Sequence, residues 1–359
     1  MVHPRSKPAQ RHAPILVQQA GETLVVDIHA HLNVGAADAL IRESVPDAPK
    51  PFAFSCPATN AVNGKIFQKI GPKLNGVDNR IADMDALGVD VQAISPSPTQ
   101  YFYFAPPEVG REAAQIVNNG VAEAVARFPD RFVGMGTVPL QNTEMAIAEM
   151  NRCVNEHDMR GIEICSHVDG RELSDEAFRP FFAAAEELGI VVFLHPLGFS
   201  HGQRLSEHYL DNIIGNPLES TIALSHLIFD GVLDAYPGLK LCVAHGGGFL
   251  PGYWGRMDHA FKAREDCRLH ITRKPSEYLR QVWFDTLVFD KDELDALVSS
   301  HGAHKLCLGT DYPFDMAEPD PVAFHDRLDT RSREKILGGN AAELLGLEAK
   351  ALIHIGETG

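Results

Sequence analysis

The chain has 359 residues, of which 45% are hydrophobic and 22% are charged, an ordinary composition for a globular domain. Its formal net charge of −16 argues against a nucleic-acid partner and against attraction to anionic membranes, because both need a basic surface. No apolar run approaches the roughly 20 residues that span a bilayer. The six cysteines show no close pairing and favour a reducing, cytoplasmic setting.

The N-terminal segment is rich in proline and basic residues and lacks the continuous apolar region of a secretory signal. We therefore expect residues 1–23 to form a flexible arm. A single domain is expected over residues 24–347, and residues 348–359 are expected to form a C-terminal tail.

Eight short apolar runs recur with helix-length gaps between them and predict strands near 24–29, 89–95, 131–138, 160–165, 190–195, 239–245, 281–286 and 305–311. Helical patterns separate them, for example Arg111 to Phe128, Met145 to Glu156 and Glu176 to Leu188. Eight strands alternating with helices are typical of a (β/α)8 TIM barrel. Residues 33–80 are too many for an ordinary connection, so we expect an insertion that covers the barrel mouth as a lid or substrate wall.

Several of the predicted strands end in residue types that bind metal ions. His29 and His31 are two residues apart, so on an extended strand both side chains project to one face. His195 ends the fifth strand and Asp311 the eighth. Because the carboxyl ends of barrel strands converge on one mouth, we expect these four residues to hold one ion. Imidazole and carboxylate suit Zn²⁺, with Mn²⁺ or Fe²⁺ as alternatives.

Three further residues are candidates for chemistry or substrate contact. His245 ends the sixth strand, and we assign it as a general acid/base close to a metal-bound water. His167 follows the fourth strand and either lines the pocket or is an ordinary loop histidine. Phe199 follows the fifth strand and either supplies an aromatic wall or packs within its loop.

These motifs resemble the amidohydrolase superfamily, specifically the decarboxylase branch around 2-amino-3-carboxymuconate-6-semialdehyde decarboxylase (ACMSD), with γ-resorcylate and 5-carboxyvanillate decarboxylases as relatives. The resemblance extends over about residues 24–347. Beyond the ligand segments it rests on Arg80 to Asp85, Arg131 to Thr137, Ala244 to Gly248, Gly255-Arg256 and Leu308 to Phe314.

The resemblance implies that His29, His31, His195 and Asp311 bind a single Zn²⁺, with His245 as the acid/base and no organic cofactor. It also implies a homodimer in which Arg256 reaches the neighbouring subunit's site to hold a substrate carboxylate. Binuclear relatives use a carboxylated lysine after the fourth strand. Residues 160–170 contain no lysine, which favours one metal ion.

Two positions depart from the ACMSD pattern. Where such sequences carry a substrate-binding arginine before the second strand, this chain reads Phe67-Gln68-Lys69-Ile70-Gly71. Where they have tryptophan after the His-Pro pair, this chain has Leu197-Gly198, and we expect Leu197 to line the substrate pocket. Loss of the arginine fork weakens carboxylate recognition at that point, so we expect a substrate other than that of ACMSD.

The leading hypothesis is a carboxy-lyase that decarboxylates a small aromatic or muconate-like carboxylic acid without oxidation. The second is a metal-dependent hydrolase or hydratase acting on a lactone, amide or C–C bond, because activated water would serve both reactions. A third is a non-catalytic metal-binding sensor.

Overall fold

The structure is a computed structural model that describes residues 9–10, 12–50, 54–199 and 202–350. Its strands are β1 (Ile15–Val17), β2 (Val26–Leu32), β3 (Val91–Pro96), β4 (Phe132–Gly136), β5 (Gly161–Ile164), β6 (His167–Val168), β7 (Arg171–Glu172), β8 (Val191–Leu194), β9 (Lys240–Val243), β10 (Trp283–Asp285), β11 (Leu306–Cys307) and β12 (Leu347–Ala349).

The α-helices are α1 (Gly35–Ser44), α2 (Pro57–Leu74), α3 (Arg80–Leu87), α4 (Pro107–Arg127), α5 (Thr143–His157), α6 (Arg179–Leu188), α7 (Asn216–Phe229), α8 (Val232–Ala235), α9 (Leu250–Ala263), α10 (Pro275–Leu279), α11 (Lys291–His301), α12 (Pro321–Phe324), α13 (Thr330–Glu334) and α14 (Asn340–Leu345). Short 3₁₀ turns include Glu176–Phe178, Gly202–Leu205 and His245–Gly247, and π-helical turns occur at Asp211–Gly215 and Lys335–Gly339.

Eight parallel strands form one sheet in the order β2-β3-β4-β5-β8-β9-β10-β11. Backbone hydrogen bonds close this sheet into a barrel, since Ile28 N–H donates to Leu308 O at 3.0 Å and His31 N–H donates to Tyr312 O at 2.8 Å. All eight predicted strands are present, displaced by a few residues, and the (β/α)8 prediction is confirmed.

The strands form because their apolar side chains are covered on both faces. Val26, Ile28 and Val133 lie in the cluster that fills the barrel, whereas Ile94 and Ile162 pack outward against the helices. Such double burial explains why the strands appear in the sequence as continuous apolar runs rather than alternating ones.

The long insertion between β2 and β3 folds into helices that cover the barrel mouth. Pro57 occupies the first turn of α2, where its missing N–H removes no helical hydrogen bond. Ile66 and Phe67 of α2 line the cavity that also contains His195. Helix α2 therefore lies where a wall over the mouth was expected, and its contact with a substrate stays a prediction.

The N-terminal expectation needs a correction within the described residues. Ile15–Val17 is not a free arm but pairs in parallel with Leu347–Ala349. The pairing buries Val17 completely, which gives this segment an apolar anchor. Residues 1–8, 11 and 351–359 of the predicted arm and tail lie outside the described residues. Within the described part of the chain, no helix has the length and apolar character needed to cross a membrane.

Candidate metal centre

Four buried side chains converge at the carboxyl mouth of the barrel. His29 and His31 lie on β2, His195 directly follows β8, and Asp311 lies four residues beyond β11. One donor atom of each lies within 4.8 Å of the others. The Nε2 atoms of His29 and His31 are 3.0 Å apart, and Asp311 Oδ1 lies 3.4 and 3.2 Å from them. The structure thus brings together the four residues that the sequence predicted as ligands.

The segment that carries Asp311 is fixed by the strand beside it. The Asp311 backbone N–H donates to His29 O at 2.8 Å as part of the barrel closure. The neighbouring Thr310 donates to Asp27 through its backbone N–H at 3.0 Å and its hydroxyl at 2.6 Å. Asp311 itself has a φ of +62°, which is uncommon for a non-glycine residue and is held by these contacts.

Hydrogen bonds set the tautomers of the two β2 histidines. Nδ1 of His29 lies 2.7 Å from a carboxylate oxygen of Asp285, and Nδ1 of His31 lies 2.9 Å from Pro96 O. Because both partners are acceptors, each Nδ1 carries a proton, and the two Nε2 atoms are left to face each other. At their separation of 3.0 Å, one shared cation could bind to both nitrogens.

Buried polar atoms of the cluster that have no hydrogen-bond partner also support a cation site. Both ring nitrogens of His195 and Oδ1 of Asp311 are buried without a hydrogen-bond partner. Native structures rarely leave such atoms unsatisfied. A divalent ion suits imidazole nitrogen and carboxylate oxygen and would satisfy Asp311 Oδ1 and one ring nitrogen of His195.

Burial and neighbouring charges favour the protonation states in which His195 and Asp311 can bind a metal ion. Burial lowers the pKa of His195 well below its ordinary value, and the charges of His31 and His245 lower it further. Burial alone would raise the pKa of Asp311, but the charge of His29 and the hydrogen bonds from His245 and His31 together outweigh it and hold that pKa well below its usual range. At neutral pH the cluster therefore contains a neutral His195 and an ionised Asp311.

His245 stands beside the cluster at the end of β9. Its Nε2 lies 3.9 Å from Asp311 Oδ2, and its side chain is 13% exposed. The turn that carries it requires glycine, because Gly247 has a φ of +77° and a Cβ there would lie 2.5 Å from Phe284. His245 is thus close to Asp311 yet open to the cavity, as a proton-transfer group must be.

Two adjoining cavities lie over the cluster. The inner chamber, of about 60 Å³, is bounded by Phe67, Leu197, Tyr209, Asp211 and Phe314 beside His195 and Asp311. The outer cleft, of about 710 Å³, is bounded by His245, Phe249, Tyr253 and Phe289. The two cavities share four lining residues: Asn212, Asn216, Asp311 and Met316.

Aromatic rings form one wall of the inner chamber. The Phe314 ring centroid lies 5.4 Å from that of His31, and the Phe67 ring meets Phe314 edge-on at 6.3 Å. Leu197 lines the same chamber, as the sequence predicted. These apolar surfaces suit a small planar ligand.

The remaining predicted substrate residues do not line either cavity. His167 lies half-buried in β6, where its Nδ1 accepts from Gly170 N–H at 3.1 Å. Phe199 lies beside Gly215, and Arg256 is exposed on α9. Their roles in substrate binding stay predictions.

Two buried carboxylates beside the cluster were absent from the sequence-based candidates. Asp285 ends an apolar strand just before the barrel mouth, a signal similar to that of Asp311. Glu163 lies within β5, where Tyr101 OH donates to it at 2.6 Å and its other oxygen is 3.6 Å from His31 Nδ1. Burial raises the pKa of Glu163. Its place inside an apolar run gave no sign that it approaches His31.

Comparison with known proteins identifies relatives along nearly the whole chain. The amidohydrolase family model matches residues 26–347. The 2-amino-3-carboxymuconate-6-semialdehyde decarboxylase of Dictyostelium discoideum is 35% identical over 340 residues, covering 91% of this chain and 92% of that protein. A 2-keto-4-carboxy-3-hexenedioate hydratase of a Sphingobium strain is 26% identical, covering 86% of this chain and 89% of that protein.

Solved structures share the architecture. The 5-carboxyvanillate decarboxylase of Novosphingobium aromaticivorans superposes with a TM-score of 0.80 at 26% identity, covering 94% of this chain and all of that one. That enzyme was crystallised with manganese and 4-hydroxy-3-methoxy-5-nitrobenzoic acid.

Proposed function

This chain belongs to the amidohydrolase family, and we propose that it is a metal-dependent carboxy-lyase acting on a small aromatic or muconate-like carboxylic acid. The observation that carries the proposal is the group His29, His31, His195 and Asp311 at the barrel mouth, with His245 beside it. The aromatic wall of Phe67 and Phe314 supports a planar substrate.

We assign His29, His31, His195 and Asp311 as the ligands of one divalent ion. Zn²⁺ suits three imidazoles and a carboxylate, and Mn²⁺, which the Novosphingobium enzyme binds, is the alternative. When bound, the ion would stabilise negative charge on the substrate's oxygen substituents. The protein contributes by fixing the ligand tautomers through Asp285 and Pro96.

We assign His245 as the group that transfers the proton. Decarboxylation of an aryl carboxylate breaks the bond between the ring carbon and the carboxylate, releases CO₂ and leaves an electron pair that must take up a proton. The imidazole of His245 faces the cavity next to Asp311, so it can hold that proton at Nε2 and deliver it to the ring carbon. Asp285 orients the turn by accepting from the Gly246 N–H at 2.8 Å.

We also propose that two copies of the chain associate through the surface around the outer cleft. Four exposed apolar residues line this cleft and form a surface that favours association. They are Ile213 (47% exposed), Phe249 (39%), Tyr253 (65%) and Phe289 (48%). Arg256 lies one turn from Tyr253 on α9, where it could reach a neighbouring site. Mixing His245→Gln and Arg256→Ala proteins tests this, because hybrid dimers would regain activity only if the arginine acts across the interface.

A second candidate reaction is hydration, which the match to the Sphingobium hydratase favours. Both candidates are tested by incubating metal-loaded protein with carboxyl-¹³C hydroxybenzoates and muconates. Release of ¹³CO₂ supports the carboxy-lyase. Addition of water across a double bond, with the label retained, supports the hydratase instead.

A further inference from the structure

The wall of the inner chamber includes an aspartate with one unpartnered carboxylate oxygen. Asp211 is 5% exposed and lines the chamber beside His195 and Asp311. Its Oδ2 accepts from the Ser55 hydroxyl at 2.7 Å, whereas its Oδ1 is buried without a hydrogen bond from any described residue. A buried acceptor left unpaired is destabilising, and at a cavity wall a bound ligand can supply the missing donor.

The backbone around Asp211 is built to present this side chain. Asp211 begins the π-helical turn Asp211–Gly215 that leads into α7, and such turns are frequent at functional sites. The preceding Tyr209 has a φ of +61°, an uncommon conformation that costs free energy. Asn216 at the end of the turn accepts from Gly198 N–H at 2.7 Å, which ties the turn to the segment after His195.

The other polar groups of the chamber restrict what this donor can be. Asp315 interacts with the Tyr209 side chain and therefore has a partner within the protein. No lysine or arginine is among the described residues that line the inner chamber. A second substrate carboxylate at this point would meet the Asp211 carboxylate without a cation, whereas a hydroxyl or amino group would find an acceptor.

We propose that Asp211 is a specificity-determining residue that accepts a hydrogen bond from a hydroxyl or amino substituent of the substrate and rejects a second carboxylate. The preferred substrate class is thus a carboxylic acid with a ring hydroxyl or amino donor on the Asp211 side. This inference rests on the proposed function, because it assumes that the reacting carboxylate lies toward the metal ligands. Ser55 is a positioning residue that fixes Asp211 through its second oxygen.

The proposal is tested by the binding of defined acids to the metal-loaded protein, measured by titration calorimetry. The probes are 2-hydroxybenzoate, its dihydroxy and amino derivatives, and the dicarboxylates 2- and 4-hydroxyisophthalate. Wild-type protein should bind its best donor-bearing acid about tenfold more tightly than 2-hydroxybenzoate, as expected for a hydrogen bond to a charged group. It should bind the dicarboxylates more weakly than 2-hydroxybenzoate.

Asp211→Asn should abolish the preference for donor-bearing acids and bind a dicarboxylate about tenfold more tightly than wild type, because the amide can donate to a carboxylate. A gain of binding cannot arise from misfolding. Asp315→Asn is the matched control, since it removes the same charge from the same chamber while Asp315 already has Tyr209 as its partner.

An unchanged binding preference in Asp211→Asn, or an equal change in Asp315→Asn, would overturn the proposal. Release of CO₂ is measured in parallel, so that failure of the Asp211 proposal can be distinguished from failure of the proposed carboxy-lyase function. Selective binding by Asp211 without CO₂ release from any acid contradicts the proposed function and leaves the subsite standing. CO₂ release with an unchanged preference contradicts the subsite alone.

Discussion

Asp285 accepts a 2.7 Å hydrogen bond from His29 Nδ1, and both side chains are completely buried. Its other oxygen accepts from the backbone N–H of Gly246, next to His245. Burial by itself would raise the pKa of Asp285, but the hydrogen bond from His29, the charges of His29 and His245 and the Gly246 N–H together outweigh it and lower that pKa. One ionised carboxylate thus fixes both a proposed ligand and the turn that carries the proposed acid/base.

Asp285→Asn is expected to weaken metal binding by about ten- to a hundredfold, the usual effect of losing a partner that orients a ligand histidine. The measurement is the dissociation constant of Zn²⁺ or Mn²⁺ by competition with a chelator. Asp292→Asn, at a side chain that is 85% exposed, is the control. Equal affinities in wild type and Asp285→Asn would show that Asp285 does not orient His29.

Gly309→Ala is expected to disturb the contact between Asp285 and His29. A Cβ at Gly309 would lie 2.7 Å from the Asp285 Cβ and 3.0 Å from the His29 Cβ, so these residues must separate. We expect destabilisation by about 1–3 kcal/mol, typical of overpacking, and reduced metal content. Thermal unfolding and elemental analysis measure the two effects. Gly64→Ala, with open space for its Cβ within helix α2, should lower neither stability nor metal content, and a neutral Gly309→Ala would refute the packing argument.

His245→Gln is expected to retain one metal ion per chain and to lose CO₂ release by about 10²- to 10⁴-fold, the usual contribution of a general acid. The two readouts are metal content and initial rate on the same preparation. His304→Gln, at an exposed histidine in the short turn before β11, is the control. If His245→Gln keeps most of the wild-type rate, its assignment as proton donor is wrong.

His301 is expected to make the fold sensitive to acid. Burial lowers its pKa to about 4, and its ring is hydrogen-bonded to Val282 O at 2.9 Å. Because an unfolded histidine titrates near 6.5, the stabilisation is complete above about pH 6.5 and falls as the pH drops toward 4.

The loss of unfolding free energy should reach up to about 3 kcal/mol over this pH range. Urea unfolding at a series of pH values measures it. His301→Gln, which keeps a donor for Val282 O, should flatten the pH profile, whereas His304→Gln should not. Superimposable profiles for wild type and His301→Gln would refute the assignment.

The sequence predicted the features that follow from strand periodicity. The apolar runs located β2, β8, β9 and β11, and their ends located His29, His195, His245 and Asp311, because barrel strands are buried and share one mouth. Asp285, at the end of β10, also follows an apolar run but was not among the predicted site residues.

Other features could not be predicted because they depend on irregular backbone or on distant contacts. Asp211 lies in a segment without periodicity, and its exposure to the chamber depends on the left-handed Tyr209 and a π-helical turn. The pairing of Ile15–Val17 with Leu347–Ala349 joins the two ends of the described chain, which no local pattern indicates.

The dependence of CO₂ release on bound metal tests the proposed carboxy-lyase function most directly. Metal-free protein is prepared by chelation, titrated with Zn²⁺ or Mn²⁺, and incubated with carboxyl-¹³C acids of the hydroxybenzoate and muconate classes. We expect no ¹³CO₂ from the metal-free protein and a rate that rises until one ion is bound per chain. Full CO₂ release without metal, or consumption of the acids with the label retained, would contradict it.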